Sequence, residues 1–363
     1  MRSFFVFLAI ISLWSINSIH RAAVQDSYYS YDNSKPVVTN HDTVNYAGLY
    51  NKRGLTNFNS GYYIDAIRDF NIAIEIKPDF SAAYNNRGLA YKYLGNYTKA
   101  IKDYSMAVKL TPELASPYNN RGMAYYEMGK YAEAIKDFDK AIEINPNFEI
   151  AYNYRGMANI KSGKYADAMN DFNEAIALKP SDALAYYNKG LANADTMKFA
   201  DAVKDYSKVI ELKPNDVAAY YNRGLANYNS GNFTDAIKDY SKVIEFNPYD
   251  ESAYYNRGLA NNNAGNYASA IKDYKKALRY NPNDTDVYNN RGLAYHNAGN
   301  YSKAIKDFNK AIKLNPKFAE AYYNRGMAEL KDNDKTSACT DFTKASQLGL
   351  KEADKAIKDN CTK

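Results

Sequence analysis

Residue types that carry catalysis or bind metals are scarce in this sequence. It has three histidines, His20, His41 and His296, and two cysteines, Cys339 and Cys361. Histidines so few and so scattered leave little room for a metal or acid–base site. We also find no glycine-rich phosphate loop and no nucleophile with a base beside it. The sequence therefore predicts a protein that is not an enzyme and that uses no cofactor and no metal.

An arginine and an aspartate recur together with a fixed spacing. Arginine precedes a regularly placed glycine in eight of nine cases, with Lys189 in the remaining one, and aspartate follows fifteen residues after the same glycine in all nine. Because a planar guanidinium can donate two hydrogen bonds to a carboxylate, we expect structural ion pairs between neighbouring helices. An arginine ladder for anionic ligands is the alternative, but it leaves the aspartates unexplained. The clearest candidate pairs are Arg87–Asp103, Arg223–Asp239 and Arg257–Asp273.

These pairs belong to a period of 34 residues that covers most of the chain. Twelve residues after every glycine comes an alanine, and 24 residues after each of the first eight comes a proline. A fixed period of this length is typical of repeat proteins, in which each unit is stable only when stacked on its neighbours. The glycines are Gly54, Gly88, Gly122, Gly156, Gly190, Gly224, Gly258, Gly292 and Gly326.

Each unit has the spacing of two helices. Tyr84 and Gly88 lie four residues apart on one face of a first helix, and Ala100 and Tyr104 repeat that spacing on a second. Small residues at the glycine and alanine positions allow the two backbones to approach closely. A Gly-Asn turn separates the helices, and Pro112 cannot extend the second one because it lacks an amide hydrogen.

The run Tyr84-Asn85-Asn86-Arg87-Gly88-Leu89-Ala90-Tyr91, with Ala100, Tyr104, Ala107 and Pro112, closely resembles the tetratricopeptide repeat. The resemblance covers about residues 47–350. It implies an all-α fold, a right-handed α-solenoid (superhelix) of nine antiparallel helix pairs whose first helices line a concave groove. The repeats are residues 47–80, 81–114, 115–148, 149–182, 183–216, 217–250, 251–284, 285–318 and 319–350.

Two departures from the repeat pattern predict local differences. In repeat five, Met197 stands where the turn glycine belongs, so we expect an irregular turn. The last repeat has Leu350 in place of proline, as suits the end of an array. Residues 351–363 then read as a capping helix and tail, in which Ala353 and Ile357 cover the last repeat.

An asparagine occupies the position two residues before the glycine in seven repeats. This position points away from the second helix, and its amide offers both a donor and an acceptor to the backbone of an extended peptide. Members of the family with an asparagine ladder use it in that way, and this sequence looks similar. The alternative is that these asparagines bond to neighbouring repeats. The asparagine row comprises Asn86, Asn120, Asn188, Asn222, Asn256, Asn290 and Asn324.

Neighbouring positions predict a groove that is polar and aromatic with an apolar floor. Tyrosines occur three residues before the glycine, and Leu or Met always follows the glycine. Members of the family that clamp a terminal carboxylate use lysines and a further asparagine in these places, so a carboxylate clamp is not expected. The groove tyrosines are Tyr187, Tyr221, Tyr255 and Tyr323.

The N-terminal 22 residues have the shape of a secretory signal peptide. One basic residue, Arg2, precedes an apolar run from Phe4 to Ile16 that is too short to span a membrane. An uncleaved anchor and a buried helix are the alternatives. Residues 23–46 are polar and without period, which favours a disordered linker over a partner-binding tail. We therefore expect export, to the periplasm or outside a bacterium, or into the secretory pathway of a eukaryote.

The remaining charges and the cysteines refine this expectation. The net charge of +6 and pI of 8.8 fall short of a nucleic-acid binder. Lysine pairs such as Lys238 and Lys242 recur on the second helices, which indicates a solvated outer face, with binding to an anionic surface as the alternative. In an oxidising compartment we expect a disulfide between Cys339 and Cys361 rather than two thiols.

Together these features predict a non-enzymatic scaffold of the cell envelope or secreted space. It would bind an extended polypeptide segment in the groove, without nucleic acid and without a membrane span after signal cleavage. Two alternatives stay open: a structural element that self-associates through its end repeats, and a protein that binds a glycan or small polar ligand with the tyrosine-rich groove.

Overall fold

The computed structural model describes residues 46–361. The predicted signal peptide, and the linker up to residue 45, lie outside the described residues. The chain divides into two compact units, Met1–Thr196 and Met197–Lys363, called unit 1 and unit 2. Each unit is described by itself.

Unit 1 contains four complete helix pairs and one further first helix among its described residues. Odd-numbered helices are the first members of repeats and even-numbered helices are the second members. The two helices of a pair are joined by short turns and run antiparallel, and each second helix also packs on the next first helix. The helices are α1 (Tyr46–Asn59), α2 (Tyr63–Ile76), α3 (Ser81–Tyr93), α4 (Tyr97–Leu110), α5 (Ala115–Glu127), α6 (Tyr131–Ile144), α7 (Glu149–Lys161), α8 (Tyr165–Leu178) and α9 (Ala183–Asp195).

Unit 2 begins with a second helix, continues with four complete pairs and closes with a shorter helix. Neighbouring helices pack in the same order as in unit 1. The helices are α10 (Phe199–Leu212), α11 (Val217–Asn229), α12 (Phe233–Phe246), α13 (Glu251–Asn263), α14 (Tyr267–Tyr280), α15 (Thr285–Asn297), α16 (Tyr301–Leu314), α17 (Ala319–Lys331), α18 (Lys335–Gln347) and α19 (Lys351–Asn360).

The core of each helix pair is an aromatic ring laid against the repeat glycine. A Cβ added to Gly88 would lie 2.6 Å from Cε1 of Tyr104, and one added to Gly122 would lie 2.8 Å from Cε1 of Phe138. No side chain fits in that space, because carbon atoms at these distances overlap. Tyr104 and Phe138 are fully buried, as are the alanines beside them. The regular glycine therefore sets how closely the two helices approach.

The turns between paired helices require a left-handed residue. Gly95 has φ of 74°, and the equivalent glycines in other repeats are similar. Met197 adopts φ of 59° and Asn333 adopts φ of 69° at the same point. The expectation of an irregular turn at Met197 is therefore wrong: the backbone keeps the regular conformation, and methionine accepts the left-handed strain that glycine avoids.

The last repeat is covered by α19 and by a disulfide. Ala353 and Ala356 are buried, and Ile357 packs half-buried against the cluster around Phe342. Cys339 on α18 is bonded to Cys361 at the end of α19. Closing a loop of 22 residues stabilises a fold by about 3 kcal/mol in the loop-entropy account.

The all-α solenoid class predicted from the repeat pattern is confirmed. In each unit the order of contacts runs from one helix to the next along the chain. Between residues 46 and 361, no helix is long and apolar enough to cross a membrane.

Candidate functional site

The arginine–aspartate pairs lie between the first and second helices of the repeats. Arg87 donates from Nε and Nη2 to the two carboxylate oxygens of Asp103, at 2.8 and 2.7 Å. Arg257 makes the same fork with Asp273, at 3.0 and 2.7 Å. Arg223 Nη2 lies 2.6 Å from Asp239 Oδ1. The aspartates are buried and the arginines mostly so, which places these charges inside the repeat rather than in a groove.

Each pair has further partners that sequence reasoning missed. Arg87 Nη1 donates to Asn71 of the preceding repeat at 2.6 Å, and its guanidinium stacks over the Tyr84 ring. Asn227 donates to Asp239 at 3.0 Å and Asn261 to Asp273 at 3.0 Å. The available signal was an asparagine four residues after the arginine. The arginine therefore ties together three helices, two of its own repeat and one before it.

In unit 1 the asparagine row joins consecutive first helices by amide–amide bonds. Asn86 Nδ2 donates to Asn51 Oδ1 at 3.0 Å, and Asn120 Nδ2 donates to Asn85 Oδ1 at the same distance. Asn86 is only 4% exposed and Asn120 only 5%. Both side chains therefore lie inside the contact between repeats.

The pattern continues to the end of unit 1. Asn188 Nδ2 donates to Asn153 Oδ1 at 3.0 Å, and both residues are buried. Tyr187 beside it is also buried, with 9% of its surface exposed. Within unit 1, the asparagine row is therefore closed to solvent.

In unit 2 the same row bonds to tyrosines and is more open. Asn256 Nδ2 donates to the hydroxyl of Tyr221 at 2.8 Å, and Asn290 Nδ2 donates to that of Tyr255 at 2.9 Å. All four side chains are half-buried. Burial raises the pKa of Tyr221 to about 12, with Asp250 adding to the shift, so its hydroxyl keeps a proton to donate.

The two ends of the row in unit 2 differ from its middle. Asn324 Nδ2 donates to Asn289 Oδ1 at 3.0 Å and is half-buried. Asn222 is buried and donates to the backbone carbonyl of Ala218 at 3.0 Å. Tyr323 is half-buried and its ring packs on Phe342, with centroids 5.6 Å apart.

The expected orientation of the asparagine row therefore needs a correction. Its position does point away from the second helix, but Asn86 and Asn120 are buried by the preceding first helix instead of facing solvent. The reason is that adjacent first helices approach closely, so a polar side chain at this position meets the residue 35 places earlier. The sequence left two roles open for these asparagines, peptide binding and bonding to neighbouring repeats. In six of the seven, one amide hydrogen bonds to the neighbouring repeat.

Uncommitted hydrogen-bonding groups remain in unit 2. Asn256, Asn290 and Asn324 each direct one amide hydrogen to the preceding repeat. An amide side chain has two hydrogens and an acceptor oxygen, so a second donor and the oxygen stay available at each. The hydroxyls of Tyr221 and Tyr255 accept one bond and can still donate one. We call Tyr221, Tyr255, Asn256, Asn290 and Asn324 the open row.

The described residues offer no metal-binding cluster. Nowhere in residues 46–361 do three or more His, Cys, Asp or Glu side chains come together in a way that could hold an ion. The arrangement of the open row suits hydrogen bonding to a neutral polar chain. Its amides and hydroxyls can both donate and accept hydrogen bonds.

Family models match the chain along most of the repeats. A model described as tetratricopeptide repeat matches residues 115–148, 217–250 and 285–318, and another with that description matches residues 308–340. A model described as TPR repeat matches residues 88–129, 158–196, 198–231 and 262–299. No curated protein matches the chain.

Several solved structures are similar. The structure of PilW, a widely conserved type IV pilus biogenesis factor, is 20% identical with a TM-score of 0.54, covering 57% of this chain and 96% of that one. A tetratricopeptide repeat protein from Parabacteroides merdae is 21% identical with a TM-score of 0.50, covering 68% and 96%. YrrB, a TPR protein with an unusual peptide-binding site, is 23% identical with a TM-score of 0.47, covering 51% and 95%. The similarity to PilW and to the Parabacteroides merdae protein shows a shared fold only.

Proposed function

This chain belongs to the tetratricopeptide repeat family, and from that premise we propose that it is a non-enzymatic scaffold that binds an extended polypeptide segment. The helix pairs account for nearly all of residues 46–361, which leaves no separate catalytic domain among them. Repeats of this kind are stable as stacks and present long surfaces for binding.

The observation that carries the proposal is the open row of unit 2. Four consecutive first helices, α11, α13, α15 and α17, present half-buried asparagines or tyrosines there, with donors and acceptors in excess of their bonds between repeats. An extended peptide has alternating N–H and C=O groups that match such a row whatever its side chains. Each bond would contribute about 0.5–1.5 kcal/mol net, so several must act together.

The floor beside the open row is apolar. Leu225 and Leu259 follow the glycines of α11 and α13 and are half-buried, packed against the aromatic core. Side chains of a bound segment that alternate in direction would contact this floor at every second residue. The combination favours a segment with apolar residues in an otherwise polar stretch.

The proposed place of action is the cell envelope or the secreted space. The disulfide between Cys339 and Cys361 supports it, since such bonds persist in oxidising compartments. The signal-peptide shape of residues 1–22 points the same way.

Capture of partners tests the proposal. The baits are the mature chain, a variant with Asn256, Asn290 and Asn324 changed to alanine, and a control with three exposed asparagines changed, Asn170, Asn173 and Asn215. Circular dichroism is used first to check that all three are folded. A segment retained by the mature chain and the control but lost by the open-row variant supports the groove as the binding surface. Equal retention by all three baits contradicts it.

A second function, self-association through the first repeat, is favoured by one observation. Leu49, Tyr62 and Ile64 on and beside α1 and α2 are 55, 63 and 61% exposed, whereas the last repeat of unit 2 is covered by α19. Sedimentation velocity over a range of concentrations distinguishes this function. A mass that rises with concentration, and stays constant in a Leu49→Ser, Ile64→Ser variant, would support it.

A further inference from the structure

Two second helices of unit 2 carry an unusual distribution of charge. On α14 and α16 the only acidic residues are Asp273 and Asp307, and both are buried in ion pairs with arginines. Each helix also has four basic residues. We call these eight residues the basic surface: Lys272, Lys275, Lys276 and Arg279 on α14, and Lys303, Lys306, Lys310 and Lys313 on α16.

The eight side chains face solvent together. Lys272 and Lys276 lie one turn apart, and Lys306 and Lys310 occupy the equivalent places 34 residues later. Six of the eight residues are exposed, and Lys276 and Lys310 are half-buried. Both helices pack on α15, so the two rows flank the same helix.

None of these eight cations has an ion-pair partner within residues 46–361. Lys303 and Lys310 lie 5.7 and 5.9 Å from the rings of Tyr295 and Tyr288, which leaves their charges unneutralised. The two preceding second helices of unit 2, α10 and α12, are different. Lys238 pairs with Asp235 at 2.9 Å and Lys242 with Glu245 at 2.8 Å on α12, and α10 repeats this arrangement. The repeat therefore allows these lysines to be neutralised by acidic residues of the same helix, and α14 and α16 lack such acidic residues.

Exposed aromatic rings lie at one edge of the basic surface. Tyr280 ends α14, one turn after Lys276, and is 40% exposed. Tyr249 packs against it with ring centroids 6.0 Å apart and is itself 75% exposed. Phe246 at the end of α12 is 41% exposed. Tyrosine and phenylalanine beside lysine and arginine are typical of helices that lie on a membrane surface.

We propose that the basic surface of α14 and α16, with Tyr249 and Tyr280 at its edge, docks on an anionic lipid bilayer. The cations would contact lipid phosphates over an area without competing carboxylates, and the rings would enter the headgroup layer. Single-stranded nucleic acid could also use the charges and stack its bases on the exposed rings, so an RNA homopolymer serves as the competing ligand in the test. The surface lies on second helices, so docking leaves the open row of the first helices accessible.

Co-sedimentation with vesicles tests the proposal. The purified chain is mixed with vesicles of phosphatidylcholine containing phosphatidylglycerol, or of phosphatidylcholine alone, at physiological salt. Binding to the first and not to the second is expected, with steep weakening as salt is raised. Lack of binding to the anionic vesicles would overturn the proposal, as would preferential binding of an RNA homopolymer.

Charge reversal at matched positions locates the site. Each basic side chain near an anionic bilayer strengthens binding by about fivefold, so Lys272→Glu, Lys276→Glu, Lys306→Glu, Lys310→Glu should weaken it by more than about a hundredfold. The control carries the same four changes two repeats earlier: Lys204→Glu, Lys208→Glu, Lys238→Glu, Lys242→Glu. This control changes the net charge by the same amount, and its affinity for anionic vesicles should stay within about fivefold of the parent's. Equal losses in the two variants would show that net charge alone acts and would contradict a site on α14 and α16.

The aromatic edge has its own test, and it uses a residue with few contacts. Tyr249→Ser removes a ring that is 75% exposed, so folding should be unaffected. Binding to anionic vesicles should weaken several-fold and become more sensitive to salt, because the apolar part of the contact is lost. If vesicle binding by Tyr249→Ser depends on salt as it does in the parent, the aromatic edge does not contact the bilayer.

Discussion

The asparagine row occupies the same position of the repeat in both units, yet the units differ in how many of its hydrogen-bonding groups a ligand could reach. In unit 1, Asn86 bonds to Asn51 and both amides are buried. In unit 2, Asn256 bonds to the hydroxyl of Tyr221 and both side chains are half-buried. At Asn256 and Asn290 a tyrosine replaces the asparagine three residues before the preceding glycine, whereas Asn324 is half-buried with an asparagine as its partner. A position that is structural in one repeat can therefore serve recognition in another.

The largest effect is expected where the units do not differ. Asp103→Ala in unit 1 and Asp239→Ala in unit 2 each leave a mostly buried arginine without its carboxylate. Each should lower the free energy of unfolding by about 3 kcal/mol, measured by urea denaturation. The loss should be at least as large for Asp239→Ala as for Asp103→Ala, because Asn227 also donates to Asp239. A loss under about 1 kcal/mol in either one would contradict a structural role for the pair.

The next effect should separate the units. Asn86→Ala leaves the buried oxygen of Asn51 without a donor and should lower the free energy of unfolding by about 1–3 kcal/mol. Asn256→Ala leaves the hydroxyl of Tyr221 within reach of water, so the loss should be under about 1 kcal/mol. Thermal unfolding of both variants measures the difference. Equal losses of unfolding free energy in the two variants would show that the asparagines of unit 1 and unit 2 do not differ in this way.

A pH dependence is expected at the last repeat of unit 2, where Glu329 stands at the position that asparagine holds in five other repeats. Burial, reinforced by Asp341, raises the pKa of Glu329 to about 7. The folded state therefore holds a proton that the unfolded chain releases near its ordinary pKa of 4.5. Stability should fall as pH rises from about 4.5 to about 7 and then level off.

Glu329→Gln provides the comparison for this effect. The amide donates to Asp341 at every pH, as Asn159 does to Asp171 in unit 1. The variant should exceed the parent in melting temperature above pH 7 and approach it near pH 4.5. A constant difference between the two proteins across this range would show that protonation of Glu329 does not matter.

The smallest effect concerns the turn at the start of unit 2. Met197 holds a left-handed conformation that glycine adopts without strain, so Met197→Gly should raise the free energy of unfolding by about 0.5–1 kcal/mol. Asn333→Gly is the matched change, and it should gain less because asparagine tolerates this conformation. Thermal unfolding of the two variants checks the order, and a larger gain for Asn333→Gly would reverse the argument.

Much of the fold was predictable because it depends on contacts within one repeat. The spacing of Gly88, Ala100 and Tyr104 predicts two helices in close contact, and the structure has Tyr104 against Gly88. Arg87 and Asp103 could be matched for the same reason, since both flank one helix pair. The disulfide between Cys339 and Cys361 was predictable because they are the only two cysteines of the sequence, one in the last repeat and one at the end of the capping helix.

The site was less predictable because it depends on contacts between repeats. Nothing in a single repeat shows that Asn86 meets Asn51, or that Asn256 meets Tyr221, since those contacts arise from the approach of neighbouring first helices. The left-handed backbone of Met197 was not predicted because methionine strongly prefers negative φ, unlike the glycine at the same place in most repeats.

Hydrogen exchange with and without a bound segment tests most directly that unit 2 holds the recognition surface. The segment identified by capture is added in excess, and amide exchange is followed by mass spectrometry across the chain. Added protection should concentrate on α11, α13, α15 and α17, with none on α3, α5 and α7 of unit 1. Protection confined to unit 1, or to the second helices, would contradict the assignment of the open row.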